Sequence, residues 1–312
     1  MSGKILVTPR SLSSAIHPGL MPLVESGFEL VFAAPGATPS EAELLAAIPG
    51  CVGWLAGVEP VSAEVIAAAD RLRVISRNGT GVDNLPVDLI AARQIKLCRA
   101  EGTNARGVAE LALALSLTAM RQIVPTHQAL ASGKWARWMG REMDGARVGV
   151  VGLGAIGAQF AGFALALGAE VAGYDPFAPA DRVQHSRFSR KSLAETLRDA
   201  DLVSLHAPQP ADGRPLLDAG ALASLAPGAV VVNTARAGLI DPDAMLAALE
   251  SGAVGCYATD VFDTEPPAPS PLLRHSRVLL TSHIGGYTVE SVERTTAAAV
   301  DNMLKVLTSH AR

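Results

Sequence analysis

Three side chains able to do chemistry lie far apart in the second half of the chain: Arg236 in N-T-A-R-A-G-L-I-D, Glu265 in D-V-F-D-T-E-P-P and His283 in S-H-I-G-G-Y-T. A guanidinium is always charged and can fork onto a carboxylate, while an imidazole gives or takes a proton near neutrality. All three follow a glycine loop, V-G-V-V-G-L-G-A-I-G at 148–157, and each sits just after a short apolar run that reads as a buried strand. In open parallel sheets, ligands bind in the crevice beyond the strand C-termini. Together the set reads as a site for hydride transfer.

The glycine loop, Gly152-Leu153-Gly154-Ala155-Ile156-Gly157, fits G-x-G-x-x-G. The pattern alone is weak, and its context strengthens it. An apolar strand precedes it, and Ile156, Phe160, Ala164 and Leu167 follow at helical spacing before Gly168 closes the helix. In a dinucleotide site the first glycine permits a tight turn, the second lets the backbone approach a pyrophosphate, and the third lets helix and strand pack closely. Asp175 ends the next strand, where a carboxylate accepts from ribose hydroxyls and repels a 2′-phosphate. Pro176-Phe177 follow with no adjacent cation, so NAD is favoured over NADP, with Arg182 the nearest basic residue considered.

The elements that must position these groups are those of an α/β protein. The 312 residues suit one large or two medium domains. Hydrophobic residues make up 49% and aromatics only 4%, the usage of helices packed on parallel strands rather than of a β-sandwich. A net charge of −4 gives no basic field for nucleic acid. No apolar run reaches the roughly 18 residues of a membrane span, and the start, M-S-G-K-I-L-V-T, reads as a first strand rather than a signal peptide. Cys51, Cys98 and Cys256 are odd in number and set in apolar surroundings. No disulfide framework or metal site is expected, and the setting is cytoplasmic.

Strand-like runs near residues 5, 30, 53, 74 and 97 alternate with helix candidates at 41–48, 62–69 and 87–93. Thr103 is the expected N-cap of a helix running to Arg121, apolar on nearly every side and therefore buried between domains or subunits. A second series supplies six strands, R-V-G-V-V, E-V-A-G-Y, L-V-S-L-H, A-V-V-V-N, G-C-Y-A-T and R-V-L-L-T, and a last helix spans about 288–307. The expected architecture is two doubly wound parallel-sheet domains. A Rossmann NAD-binding domain at 102–286 is inserted into a flavodoxin-like substrate-binding domain made of 1–101 and 287–312, and the two crossings form a hinge.

With these segments in view, the chain resembles the D-isomer-specific 2-hydroxyacid dehydrogenases, and within them the D-3-phosphoglycerate dehydrogenase branch. The segments are I-S-R-N-G-T-G-V-D-N at 75–84, G-T-N-A-R-G-V-A-E-L-A at 102–112, G-K-W at 133–135, the glycine loop and the three catalytic segments, in family order. The resemblance gives Arg236 the substrate carboxylate and carbonyl, His283 the acid/base step and Glu265 the imidazole. Chemistry agrees, because reducing a 2-keto acid needs a proton donor near neutrality, and a carboxylate beside an imidazole keeps its proton on. By the same resemblance Asn78, Gly79 and Thr80, with Gly81, form the carboxylate-binding turn. Ala155 and Ile156 lie against the pyrophosphate, while Thr234, Ala235, Arg236, Asp260 and His283 lie at the nicotinamide end. His206 and Pro208, in L-H-A-P, flank the cofactor, as do Gly285 and Gly286. The other histidines, at 17, 127, 185, 275 and 310, take surface or packing roles.

The resemblance thins at the substrate's far end. The phosphoglycerate branch has an Arg-Ser pair after the third strand, where this chain has Ala56-Gly57. Arg77 and Arg137 match other basic positions of the branch and are candidates for a second anion on the substrate. The chain also stops at Arg312, after the closing helix, so a short form without the branch's C-terminal regulatory domain is implied, working as a homodimer. The leading expectation is an NAD-dependent enzyme for phosphoglycerate or another anionic-tailed 2-hydroxy acid. The alternatives are a reductase of small 2-keto acids such as glyoxylate, hydroxypyruvate or pyruvate, motivated by Ala56-Gly57, and a nucleotide-sensing corepressor-like binding protein. Formate dehydrogenase chemistry is opposed by Glu265.

Overall fold

The computed structural model describes residues 3–14 and 16–309; Met1, Ser2 and His310 lie outside them. The chain divides into two compact units, one running to Asn104 and resuming at Thr288, the other Ala105–Tyr287.

The first unit holds strands β1 (Gly3–Val7), β2 (Phe28–Phe32), β3 (Cys51–Ala56), β4 (Val74–Arg77) and β5 (Lys96–Arg99), all parallel in the order β2-β1-β3-β4-β5. This is the flavodoxin-like order, with its switch point between β1 and β3. Strand alternation feeds two cores. Leu6 and Trp54 face Leu44 and Ile66 of the flanking helices on one side, while Ile5, Val7 and Leu55 face the other. The Glu41–Ala47 helix starts on a capping box between Ser40 and Glu43. On the second face lies the Val289–Thr308 helix, capped by Thr288, whose Ala299, Val300, Met303 and Leu307 close that core. The unit is therefore completed by chain from both ends of the sequence. The Thr103 hydroxyl, expected as a cap, bonds the Ala100 carbonyl at 2.9 Å and the Thr295 hydroxyl at 2.8 Å.

The second unit holds β6 (Arg147–Val151), β7 (Glu170–Tyr174), β8 (Phe188–Arg190), β9 (Leu202–Leu205), β10 (Ala229–Asn233), β11 (Val254–Thr259) and β12 (Val278–Leu280) in one parallel sheet ordered β12-β11-β10-β9-β6-β7-β8. The central strands β9 and β10 are buried throughout, as strands covered on both faces must be. Here the structure corrects the six-strand expectation: β8 is a seventh strand, pairing with β7 at the edge. Its three residues, Phe-Ser-Arg, carry no apolar run to betray it. The Ala105–Met120 helix buries Ala109, Ala112 and Leu115 with Phe160 and Ala164 of the Ala155–Ala166 helix, over Val148, Val150 and Val232. Small residues on both helices let their backbones approach.

The three cysteines are free thiols, Cys51 buried and the others partly so. Among the described residues no single helix is long and apolar enough to cross a membrane.

Candidate active site

The sheet order of the second unit sets its chemistry in a row. Along the C-terminal edge come, in turn, His283 after β12, Asp260 and Glu265 after β11, Thr234 to Arg236 after β10, His206 after β9, the glycine loop after β6 and Asp175 after β7. The order reverses between β6 and β9, the kind of switch point at which open sheets bind ligands.

His283 and Glu265 meet directly. Imidazole Nδ1 lies 2.7 and 2.8 Å from the two carboxylate oxygens, so Nδ1 carries the hydrogen and Nε2 is left as the titrating nitrogen. The Glu265 hydrogen bond raises the imidazole pKa; burial opposes it, the charges of Glu265 and Asp260 add to it and Arg236 subtracts. The balance is upward. Both side chains are partly open, 46% and 35% exposed.

The backbone at His283 is left-handed, φ 54°, a conformation a non-glycine residue holds only when its surroundings impose it. Asp260 imposes it. Only 2% exposed, this carboxylate accepts from Ile284 N at 2.8 Å, Gly285 N at 2.8 Å and the Thr281 hydroxyl at 2.6 Å. A Cβ at Gly285 would lie 3.0 Å from its Oδ2, so the loop closes tightly on the acid. Asp260→Asn replaces one acceptor with a donor facing an N–H. It is expected to lower stability by about 1–3 kcal/mol and, by removing a charge that favours the imidazolium, to lower the pKa of His283. A melting curve and a pH–rate profile check both, and unchanged melting would contradict the latch.

Arg236 is held from its main chain. The buried Asn233 side chain accepts from Ala235 N at 3.0 Å and donates to the Arg236 carbonyl at 2.8 Å, clasping the loop from both sides. Arg236 Nη1 donates to the Ala235 carbonyl at 2.7 Å. The adjacent Thr234 is buried, and its hydroxyl makes no hydrogen bond within the protein.

The glycine loop fits a dinucleotide on geometric grounds. Gly152 turns at φ 90°, and a Cβ there would lie 2.6 Å from Ala207 N; one at Gly157 would lie 1.9 Å from the Gly152 carbonyl oxygen, while one at Gly154 would meet nothing within 4 Å. Two glycines thus allow close packing and the middle one faces open space at the N-terminus of the Ala155–Ala166 helix, where N–H groups and dipole suit a phosphate. Ala155 is exposed and Ile156 half-buried beside it. The His206 ring packs tilted at 45° against Phe160, centroids 5.2 Å apart, with Nε2 2.9 Å from the Ser204 hydroxyl and Nδ1 making no hydrogen bond. Burial pushes its pKa down to about 3, so it is a neutral contact at this edge. Pro208 and Gly286 lie exposed and half-buried in neighbouring loops.

Asp175 is fixed by three backbone donors, Leu153 N at 2.8 Å, Phe177 N at 2.8 Å and Ala178 N at 2.9 Å. Burial works against its charge, and these donors with the Arg190 charge outweigh it, holding the carboxyl below its usual range. Arg190, which the sequence reading did not single out when it considered Arg182, donates from β8 to the carbonyls of Asp175 and, at 2.6 Å, Ala178. A three-residue edge strand delivers it, and no local spacing signals that.

Residues 113–285 match the family described as D-isomer specific 2-hydroxyacid dehydrogenase, NAD binding domain. The chain belongs to this family. Curated relatives include the D-3-phosphoglycerate dehydrogenase of Mycobacterium leprae, 40% identical over 259 residues, 82% of this chain and 49% of the relative. The (S)-sulfolactate dehydrogenase of Chromohalobacter salexigens is 38% identical over 79% of this chain and 81% of its own. The chain spans about half the length of the curated D-3-phosphoglycerate dehydrogenases it matches. Among solved structures, the TT0316 protein from Thermus thermophilus superposes with a TM-score of 0.87 at 33% identity, covering 97% of this chain and 96% of that one.

The remaining expected residues of the family site lie at the C-terminal edge of the first unit and in the coil after the Ile123–Ala131 helix. Arg77 ends β4, 7% exposed, donating to the Asn78 carbonyl at 2.8 Å, and a Cβ at Gly79, φ 149°, would lie 3.0 Å from its Nη1. The Asn78 side-chain oxygen is buried without a hydrogen bond, and Thr80 is exposed. Arg137 is exposed in the second unit, near the exposed Trp135 and Met139.

Proposed function

We propose that this chain transfers a hydride between NAD and a D-2-hydroxy acid or its 2-keto partner, with the second unit binding the dinucleotide and the first the acid. The observation that carries it is the His283–Glu265 pair, latched by Asp260 on the same sheet edge as Arg236 and the glycine loop. Bound NAD supplies or accepts the hydride. The Gly152–Gly157 loop and the helix it opens hold the pyrophosphate and Asp175 the adenosine ribose. Thr234, Ala235, Asp260, Gly285 and Gly286 shape the nicotinamide end. Arg236 holds the acid's carboxylate and polarises its carbonyl, and in the first unit Asn78, Gly79 and Thr80 form a carboxylate-binding turn. In reduction His283 gives its Nε2 proton to the carbonyl oxygen, and in oxidation it takes the hydroxyl proton. Glu265 stabilises the charged ring between the two.

The names of the curated relatives carry phosphate or sulfonate tails, and Arg77 and Arg137 are the residues that such a tail would need. A tail without a second charge is favoured by the fully buried Ala56 and by Gly57, where that branch has Arg-Ser. The exposed Trp135, Met139, Leu130 and Ile123 support a homodimer, and three free thiols suit a reducing cytoplasm.

NADH oxidation with pyruvate, hydroxypyruvate, glyoxylate and phosphohydroxypyruvate tests the reaction, and tight NADH binding without turnover on any of them would favour the corepressor-like reading. Glu265→Gln tests the pair. Because Glu265 raises the His283 pKa, wild-type reduction holds its proton donor above the ordinary imidazole value of about 6.5 and loses rate as pH rises through the raised pKa. The same raised pKa stabilises the fold below about 6.5 and ceases to do so as pH rises through the raised value. In Glu265→Gln the declining limb of kcat/KM for reduction moves to lower pH; a limb that stays in place would separate Glu265 from the titration.

A further inference from the structure

The switch point of the first unit's sheet, between β1 and β3, holds a buried carboxylate that the reaction described above does not use. Glu59 follows β3 and is 1% exposed. Its Oε1 accepts from the Thr8 hydroxyl, at the end of β1, and from Gly57 N at 3.0 Å. Thr8 Oγ1 in turn accepts from Trp54 Nε1 and Gly57 N, each at 3.1 Å. The Thr8 hydroxyl hydrogen has two acceptors in reach, the Leu55 carbonyl at 3.2 Å and Glu59 Oε1, and the Gly57 N–H is shared between Thr8 Oγ1 and Oε1. Asn84 completes the frame, donating to the Glu59 carbonyl at 2.6 Å and the Gly57 carbonyl at 3.3 Å.

Two consequences follow for whatever reaches this edge. A Cβ at Gly57 would lie 2.6 Å from Glu59 Oε2 and 3.2 Å from Pro9 Cα, so a side chain at 57 requires the Glu59 carboxylate to shift. The edge also carries a carboxyl whose charge, when ionised, interacts with that of Arg77. Burial pushes the Glu59 pKa up, while Thr8, the backbone N–H groups and the Arg77 charge pull against it. A second anion brought here is repelled by the ionised carboxylate, which also opposes part of the Arg77 charge.

We propose that Glu59, set at the switch point beside Arg77 and the 78–80 turn, is the residue that selects the substrate's tail, admitting 2-hydroxy acids whose far end is uncharged and hydrogen-bonding and rejecting those with a second anionic group. This rests on the dehydrogenase reading. It differs from that reading in assigning Arg77 to a charge balance within the protein instead of to a phosphate or sulfonate.

The test is the ratio of kcat/KM for hydroxypyruvate to that for phosphohydroxypyruvate and sulfopyruvate, in wild type and in Glu59→Gln. The amide keeps the acceptor toward Thr8 and Gly57 and removes the charge. Wild type is expected to favour hydroxypyruvate, and Glu59→Gln to shift the ratio toward the anionic acids by about tenfold, the effect of one charge across a partly screened site. A merely structural glutamate would lower all three acids together and leave the ratio alone. A wild-type preference for an anionic tail, a measurement that does not depend on the variant folding, overturns the proposal, as does an unmoved ratio in a variant that melts and binds NADH as wild type does. Silence toward every 2-keto acid sinks the dehydrogenase reading, and this proposal falls with it; turnover with the wrong preference sinks this proposal alone.

Discussion

His283→Ala is expected to lower turnover roughly 10²- to 10⁴-fold, the range for loss of a positioned general acid, with NADH affinity nearly intact. The geometry separates the two effects. The loop is anchored by Asp260 through the N–H groups of Ile284 and Gly285 and through Thr281, none of which uses the imidazole. Alanine at 283 keeps an L side chain at φ 54°, so the substitution does not relieve whatever cost that backbone carries. The proton donor disappears and its frame stays. The pH dependence assigned to the imidazole should vanish with it, leaving a flat residual rate. Single-turnover rates with pH profiles check this, and turnover close to wild type would remove His283 from the reaction.

Arg236→Ala is expected to lower kcat/KM by about 10²- to 10³-fold, comparable to removing one preorganised donor from a developing anion, with higher KM and lower kcat together. Asn233 clasps this loop by the Ala235 N–H and the Arg236 carbonyl, so the main chain keeps its path when the guanidinium is removed. The variant carries a second signature. The Arg236 charge pulls the His283 pKa down, so its loss lets that pKa rise, and the limb of the reduction profile moves to higher pH, opposite to Glu265→Gln. Steady-state kinetics against pH reads both effects. An unchanged kcat/KM would refute the role.

What the sequence made legible and what it hid have one physical basis. Strands such as β6, β9 and β10 are buried on both faces, so continuous apolar runs mark them. The glycine loop is a local pattern whose close approaches involve few residues. The three catalytic candidates could be proposed because each follows a strand-like apolar run, and the strands they follow, β10, β11 and β12, are neighbours in the sheet. The hidden parts are contacts between distant segments. Arg190 reaches Asp175 from an edge strand too short to show a period. Glu59 reads as an ordinary loop acid in V-E-P until the sheet brings Thr8 to it from the end of β1. Asp260 was legible as a site residue, but its oxygens are engaged by the His283 loop, a function that no spacing discloses.

The central claim is hydride transfer to the carbon of a 2-keto acid, and isotope transfer tests it most directly. The enzyme is incubated with NADH deuterated at the transferable position and hydroxypyruvate, and the product is analysed for deuterium at C2 and for configuration. The expected result is a D-2-hydroxy acid carrying one deuterium at C2, formed by wild type and formed roughly 10²- to 10⁴-fold more slowly by His283→Ala. NADH binding without a deuterated product from any 2-keto acid, or a product whose C2 hydrogen comes from solvent, would contradict the account.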